Sequence, residues 1–205
     1  MRTGILGGVF NPPHIGHLIC AQEAQSQLAL GSVLLMPVGE APHREVTDDP
    51  GADVRVELCR RAAASDERIE VSTLEVERSG PSYTADTLRE LRGRGGGDEL
   101  FLILGGDQAA ALPDWHQPEE VLRLATVAVA ERDGAERERI TAAVRGLAGG
   151  GDLVFIDMPR VDVSSTMIRE RAAAGRPLRY LVPDGVADLI EERGLYASSA
   201  AVPAR

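Results

Sequence analysis

Two short apolar runs, residues 3–6 and 100–104, each pass directly into a Gly-Gly pair, Gly7-Gly8 and Gly105-Gly106. An apolar run of four or five residues that stops at paired glycines reads as a buried strand entering a tight turn. Further apolar runs lie at 33–38, 126–130 and 153–156, and 69–74 alternates like a strand. Helical patterns fall at 15–28, 54–64, 84–92, 119–124, 136–147, 165–173 and 186–193. Strands alternating with helices predict an α/β fold in three layers, its mostly parallel sheet covered on both faces. Ligands of such sheets bind beyond the carboxyl ends of the strands, near the switch in strand order. Both Gly-Gly pairs are expected there.

The 205 residues suit one domain with a real core, and 43% of them are hydrophobic, which excludes a disordered chain. We expect a single domain over 1–196, with a closing helical segment at about 164–196 and a disordered tail at 197–205; the glycine runs at 93–97 and 149–151 read as flexible connectors. Aromatic residues are 3% of the chain and the formal net charge is -10. Both argue against a nucleic-acid partner, while leaving room for a small anion in a locally positive pocket. All 22 basic residues are arginine. A P-loop lysine and a Schiff-base lysine are therefore both excluded. Cys20 and Cys59 are too few for a disulfide framework, and the N-terminus lacks a long apolar stretch. The expectation is a cytoplasmic protein with no signal peptide and no membrane span.

The stretch GGVFNPPHIGH, Gly7 to His17, joins permissive backbone, stiff backbone and two imidazoles at one strand-to-helix junction. Gly7 and Gly8 would let the backbone approach a ligand and take a positive φ, and Pro12 and Pro13 would stiffen the entry to the helix. That helix starts near His14, where free N–H groups and the dipole favour phosphate. His14 and His17, three residues apart, share a face and would both donate to one polyphosphate. Two other readings stand beside this one: a tight turn with incidental histidines, and a metal site on His14, His17 and Cys20. Metal content by elemental analysis separates the second.

A second informative run is Val161 to Arg169, VDVSSTMIR. Ser164, Ser165 and Thr166 crowd a helix start, where hydroxyls cap N–H groups and meet phosphate oxygens, and Arg169 offers a charged fork one turn in. An ordinary capped helix with a surface arginine gives the same letters.

His14-Ile15-Gly16-His17 resembles the phosphate-binding signature of the H-x-G-H nucleotidyltransferase superfamily, and Val163 to Arg169 resembles the I-S-S-T-x-I-R signature of bacterial nicotinate-mononucleotide adenylyltransferases. Pro42-His43-Arg44, the segment Gly80 to Leu88, Gly105-Gly106-Asp107, Leu112 to Trp115, Arg179 to Pro183 and Gly194-Leu195-Tyr196 resemble further segments of that family in order. The likeness spans nearly the whole chain. Asn11 stands where the family more often has Asp, Gly106 where it has Ala, and Val163 where it has Ile. Class I aminoacyl-tRNA synthetases share the histidine motif but need a lysine-rich loop and far more chain.

The resemblance implies a Rossmann-like fold of the H-x-G-H type. It also implies transfer of the adenylyl group of ATP to nicotinate mononucleotide, releasing pyrophosphate, in NAD biosynthesis. The attacking phosphate is already ionised, so positioning and charge stabilisation would suffice. The implied catalytic residues are His14, His17 and Arg169. Gly7, Gly8, Phe10, Asn11, Gly105, Asp107, Ser164, Ser165 and Thr166 are the implied ATP-side residues, with Asp107 near a ribose. Trp115 would stack on the pyridine ring, Tyr83 and Thr84 would meet the nicotinate carboxylate, and Arg44 a phosphate. Mg2+ would ride on the ATP phosphates, with few protein ligands and no separate metal site. The partners are ATP and nicotinate mononucleotide, with no nucleic acid and no membrane; homo-oligomerisation stays open. So do a preference for the amide nucleotide, another acceptor such as phosphopantetheine, and a noncatalytic nucleotide sensor.

Overall fold

The computed structural model describes residues 1–42, 46–94, 97–131, 137–147 and 153–197. Six strands, β1 (Arg2–Gly8), β2 (Ser32–Pro37), β3 (Ile69–Val71), β4 (Glu99–Gly105), β5 (Thr126–Glu131) and β6 (Leu153–Asp157), form one sheet in the order β3-β2-β1-β4-β5-β6. Every pairing in it is parallel. The switch point lies between β1 and β4, so Gly7-Gly8 and Gly105-Gly106 stand side by side at the carboxyl edge.

The helices are α1 (Ile15–Gln27), α2 (Ala52–Ala63), α3 (Leu74–Glu77), α4 (Thr84–Arg94), α5 (Gly106–Ala110), α6 (Pro118–Leu124), α7 (Arg137–Val144), α8 (Ser165–Ala173) and α9 (Asp184–Glu192). The pleat sends successive strand side chains to opposite faces. Leu100, Leu102 and Leu104 join Ile5 and Val127 in a core with Leu88, Val121 and Ile140 from α4, α6 and α7. Phe101 and Ile103 join Leu6, Val33 and Ala128 in the opposite core with Ala21, Ala24 and Cys59 from α1 and α2. Gly16, Cys20 and Ala24 recur every fourth residue on the buried side of α1, small side chains that let the helix lie close to the sheet. A third cluster, with Leu58, Ile168, Val186 and Leu189, seats α8 and α9 against α2.

The structure corrects several expected boundaries. The strand expected over 69–74 ends at Val71, and Leu74 opens α3. Gly93 belongs to α4, not to a connector. Helix α5 and the 3-10 turn Leu112–Asp114 are too short to show a period and were absent from the pattern. The glycines at 95, 96 and 149–151, and residues 198–205 of the expected tail, lie outside the described residues. Among the described residues, no helix is long and apolar enough to cross a membrane.

Candidate active site

The chain leaves β1 through Gly7 and Gly8, yet neither takes a positive φ; that backbone falls on Phe10, at 51°. The left-handed region costs a residue with a Cβ about 1–2 kcal/mol. Burial of the Phe10 ring, 2% exposed, offsets it. Gly8 makes room for that ring, since a Cβ there would lie 3.3 Å from it. At Gly7 a Cβ would meet no atom within 4 Å, so this glycine leaves open space beside the strand end.

His14 is the N-cap of α1, and its backbone N–H donates to Nδ1 of His17 at 3.1 Å. Nδ1 of His17 is thus an acceptor, which puts the proton of the neutral ring on Nε2. The two rings stack at 3.8 Å between centroids, and Phe10 meets His17 at 5.0 Å in a T-shaped contact. Gly16 lies beneath the His14 ring, where an added Cβ would come within 3.0 Å of Cε1 and Nδ1. Burial lowers His14 from 6.5 to about 4. Burial, and next the charge of His14, lowers His17 to about 3. Both rings are therefore neutral near pH 7, each with one N–H to donate. Nδ1 of His14 is buried without a hydrogen-bond partner. Of the first-turn donors of α1, Ile15 N–H is already engaged by the Leu181 carbonyl at 3.1 Å.

Helix α8 docks onto this turn. Ser164 caps it, Oγ accepting Met167 N–H at 3.2 Å. The Ser165 hydroxyl donates to the Pro12 carbonyl at 2.8 Å, and Arg169 Nη1 donates to the Asn11 carbonyl at 3.0 Å. Arg169 Nε also faces Asp48 Oδ2 at 3.4 Å. Thr166 is exposed at the same helix start. The Asn11 side chain is 3% exposed. It donates to the carbonyls of Thr47 and Asp48 and accepts from the Tyr196 hydroxyl.

On the other side of the β1 tip lies a cavity of about 400 Å³. Gly7 and Gly8 form one wall, Tyr83 and Thr84 at the start of α4 another, and Asp107, Trp115 and His116 a third. Tyr83 stacks on His116 at 4.3 Å, and Trp115 is half-buried against the core. Glu75 also lines the cavity, 7% exposed, with Oε1 accepting the Thr87 hydroxyl at 2.7 Å. Burial raises its pKa, against the opposing pull of Thr87 and Arg78. Beneath this region Arg55, 1% exposed, donates to the carbonyls of Val9, Val38 and Gly39 and pairs with Asp49 at 3.0 Å. One buried guanidinium thus ties the ends of β1 and β2 together.

The expected residues fall into two groups. Phe10, Asn11, His14, His17, Ser164, Ser165, Thr166 and Arg169 gather at the histidine turn, while Tyr83, Thr84 and Trp115 line the cavity together with Asp107, which was expected on the ATP side. Gly7 and Gly8 stand between them, and Gly105 caps α5 nearby. Arg44 lies outside the described residues. Glu75, His116, Arg55 and Tyr196 were not among the expected site residues; His116 stands beside the single tryptophan, and Tyr196 belongs to the expected pattern only as the end of the closing Gly194-Leu195-Tyr196 segment. Cys20 is buried in the core, its thiol pushed up to about 11, which leaves it a poor thiolate ligand beside the histidines. Among the described residues no group of three His, Cys, Asp or Glu is placed to hold a metal ion.

A model of cytidylyltransferase-like proteins matches residues 5–171. The nicotinate-nucleotide adenylyltransferase of Bacillus subtilis (strain 168) is 39% identical over 197 residues, covering 96% of this chain and 99% of that one. In fold, the chain is similar to a Plasmodium falciparum nicotinic acid mononucleotide adenylyltransferase complexed with NaAD. That likeness has a TM-score of 0.77 at 16% identity and covers 95% of this chain and 97% of the other. Set beside the H-x-G-H turn, the docked Ser-Ser-Thr helix and the 3-2-1-4-5-6 parallel sheet, these matches show that the chain belongs to the nicotinate-nucleotide adenylyltransferase family of cytidylyltransferase-like proteins.

Proposed function

We infer that the chain transfers the adenylyl group of ATP to nicotinate mononucleotide, giving nicotinate adenine dinucleotide and pyrophosphate, in NAD biosynthesis. The reading is carried by the position of Gly7 and Gly8, which separate the histidine turn from the cavity. Two nucleotides bound on either side of one strand end would meet across it. The 39% identity to the Bacillus subtilis enzyme supports the choice of acceptor. Residues 1–196 act as one nucleotidyltransferase domain, with the closing helical segment at about 164–196.

The pyridine nucleotide's phosphate oxygen attacks the α-phosphorus of ATP, and the bond to the bridging oxygen breaks as pyrophosphate leaves. The nucleophile is already ionised, so the chain supplies donors, not a base. His14 and His17, neutral and stacked, each offer one N–H to the phosphates as charge moves to the leaving group. Arg169 adds a fixed positive charge, and Ser164, Ser165 and Thr166 bring the start of α8 to the same side. Gly105 keeps the neighbouring strand end open, and Asp107 reaches a ribose. The donor set at the turn is imidazole, guanidinium and hydroxyl, with no carboxylate cluster among the described residues. It fits Mg2+ carried on the ATP phosphates, where the ion neutralises charge without a cage of protein ligands.

In the cavity, Trp115 stacks on the pyridine ring. Helix α4 starts at Thr84 on the wall, and the positive end of its dipole favours a carboxylate over an amide. Arg44 serves the acceptor's phosphate.

Incubation of the purified protein with ATP, Mg2+ and either nicotinate mononucleotide or its amide, with chromatography of the products, tests this. Strong preference for the acid is expected. Preference for the amide overturns the assignment of Tyr83 and Thr84, and absence of either dinucleotide overturns the reaction.

A further inference from the structure

The tyrosine that follows α9 and the asparagine that leads into the histidine turn are hydrogen-bonded to each other. Tyr196 OH donates to Asn11 Oδ1 at 2.7 Å across 185 positions of sequence. Asn11 Nδ2 in turn donates to the carbonyls of Thr47 at 2.9 Å and Asp48 at 3.3 Å. The Asn11 carbonyl receives Arg169 Nη1, and Arg169 Nε faces the Asp48 carboxylate. The contacts close into a ring: Asn11 holds the backbone of Asp48, and both hold Arg169, whose side chain is 14% exposed.

The chemistry of Asn11 matches this role. An amide carries two donors and an acceptor on one planar group, and all three functions are in use here. A carboxylate would set an oxygen against two carbonyl oxygens and lose both bonds to the loop. Tyr196 is itself held firmly, because Leu195 N–H donates to the Ile190 carbonyl at the end of α9 and the ring packs in the α2–α8–α9 cluster. Burial raises the Tyr196 pKa, so the phenol stays a donor through neutral pH.

We propose that Tyr196 and Asn11 are positioning residues that fix Arg169 for ATP, making the segment after α9 a working part of the ATP side of the site. This rests on the reading of Arg169 as an ATP ligand.

The test compares initial rates of the enzyme and its Tyr196→Phe, Asn11→Asp and Arg169→Gln variants, varying ATP and nicotinate mononucleotide in turn, with a thermal melt of each. For Tyr196→Phe the expected result is a rise in KM for ATP of about three- to tenfold, with kcat and the KM for nicotinate mononucleotide within about twofold. Asn11→Asp gives a larger rise that shrinks as pH is lowered, because the introduced carboxyl, once protonated, donates again to a loop carbonyl. Neither change adds to the effect of Arg169→Gln in a double variant. A lowered melting temperature with unchanged KM for ATP in both variants, or effects additive with Arg169→Gln, overturns the proposal. An Arg169→Gln variant with unchanged KM for ATP overturns the reading beneath it instead.

Discussion

The His17 ring lies on the His14 ring at 3.8 Å, and its Nδ1 accepts the backbone N–H of that same residue. Each histidine therefore orients the other: His17 caps the helix start that His14 opens, and the stack fixes both ring planes. Replacing His14 or His17 by Gln is expected to lower kcat by about 10²-fold or more, the scale of losing a donor to developing charge. Steady-state kinetics, with circular dichroism to confirm the fold, measures it.

Both rings are held neutral by burial, at about 4 and about 3, and a bound triphosphate opposes that shift. ATP binding near pH 6 is expected to take up protons. Calorimetry in two buffers of different ionisation enthalpy reads the uptake directly, and a His14→Gln, His17→Gln double variant should lose it.

The same depressed values set a stability profile. Between the unfolded value of 6.5 and the folded values of about 4 and about 3, the unfolded chain binds more protons than the folded one. Stability is full above pH 6.5 and falls as pH drops through that window. Urea denaturation at stepped pH should show a shallower acid limb in the double histidine variant.

Gly16 and Gly7 should respond to alanine in different ways. At Gly16 the new methyl would press the His14 ring at 3.0 Å, so Gly16→Ala is expected to lower kcat by about tenfold. At Gly7 no protein atom lies within 4 Å, so Gly7→Ala should melt like the parent while weakening substrate binding. Kinetics and melting curves of the two variants together make the comparison.

Arg55 is expected to matter for stability more than any other charged side chain near the site. Arg55→Met would leave three carbonyls and Asp49 without their shared donor, at a cost of about 2–4 kcal/mol. Chemical denaturation gives the value, and a loss below about 1 kcal/mol would speak against the clamp.

The parallel sheet was legible because its strands are short apolar runs with helical periods between them, as at residues 100–104. Leu74 misled the pattern: an apolar residue three positions past Val71 reads as the end of the same strand, but it is out of phase with Ile69 and Val71 and seats the first turn of α3 in the core. The histidine turn could be read from spacing alone, whereas its backbone could not. The positive φ sits on Phe10, where the energy of burying a ring outweighs the glycine preference that local rules count. Arg55 gave no signal, and Tyr196 only that of its closing segment, for a related reason. Their partners lie across tertiary contacts, and no local pattern records a carbonyl 46 or an amide 185 positions away.

Ser165 reaches back 153 positions to the Pro12 carbonyl, and Arg169 reaches back 158 to that of Asn11. On the ribosome the histidines emerge early and their arginine late, after every strand of the sheet has been made. A chain stopped before residue 165 has both histidines but neither the serine nor the arginine that docks onto their turn. The histidine turn and helix α8 can thus meet only when the sheet beneath them already exists, an order written into the positions of Pro12, Asn11, Ser165 and Arg169 along the chain.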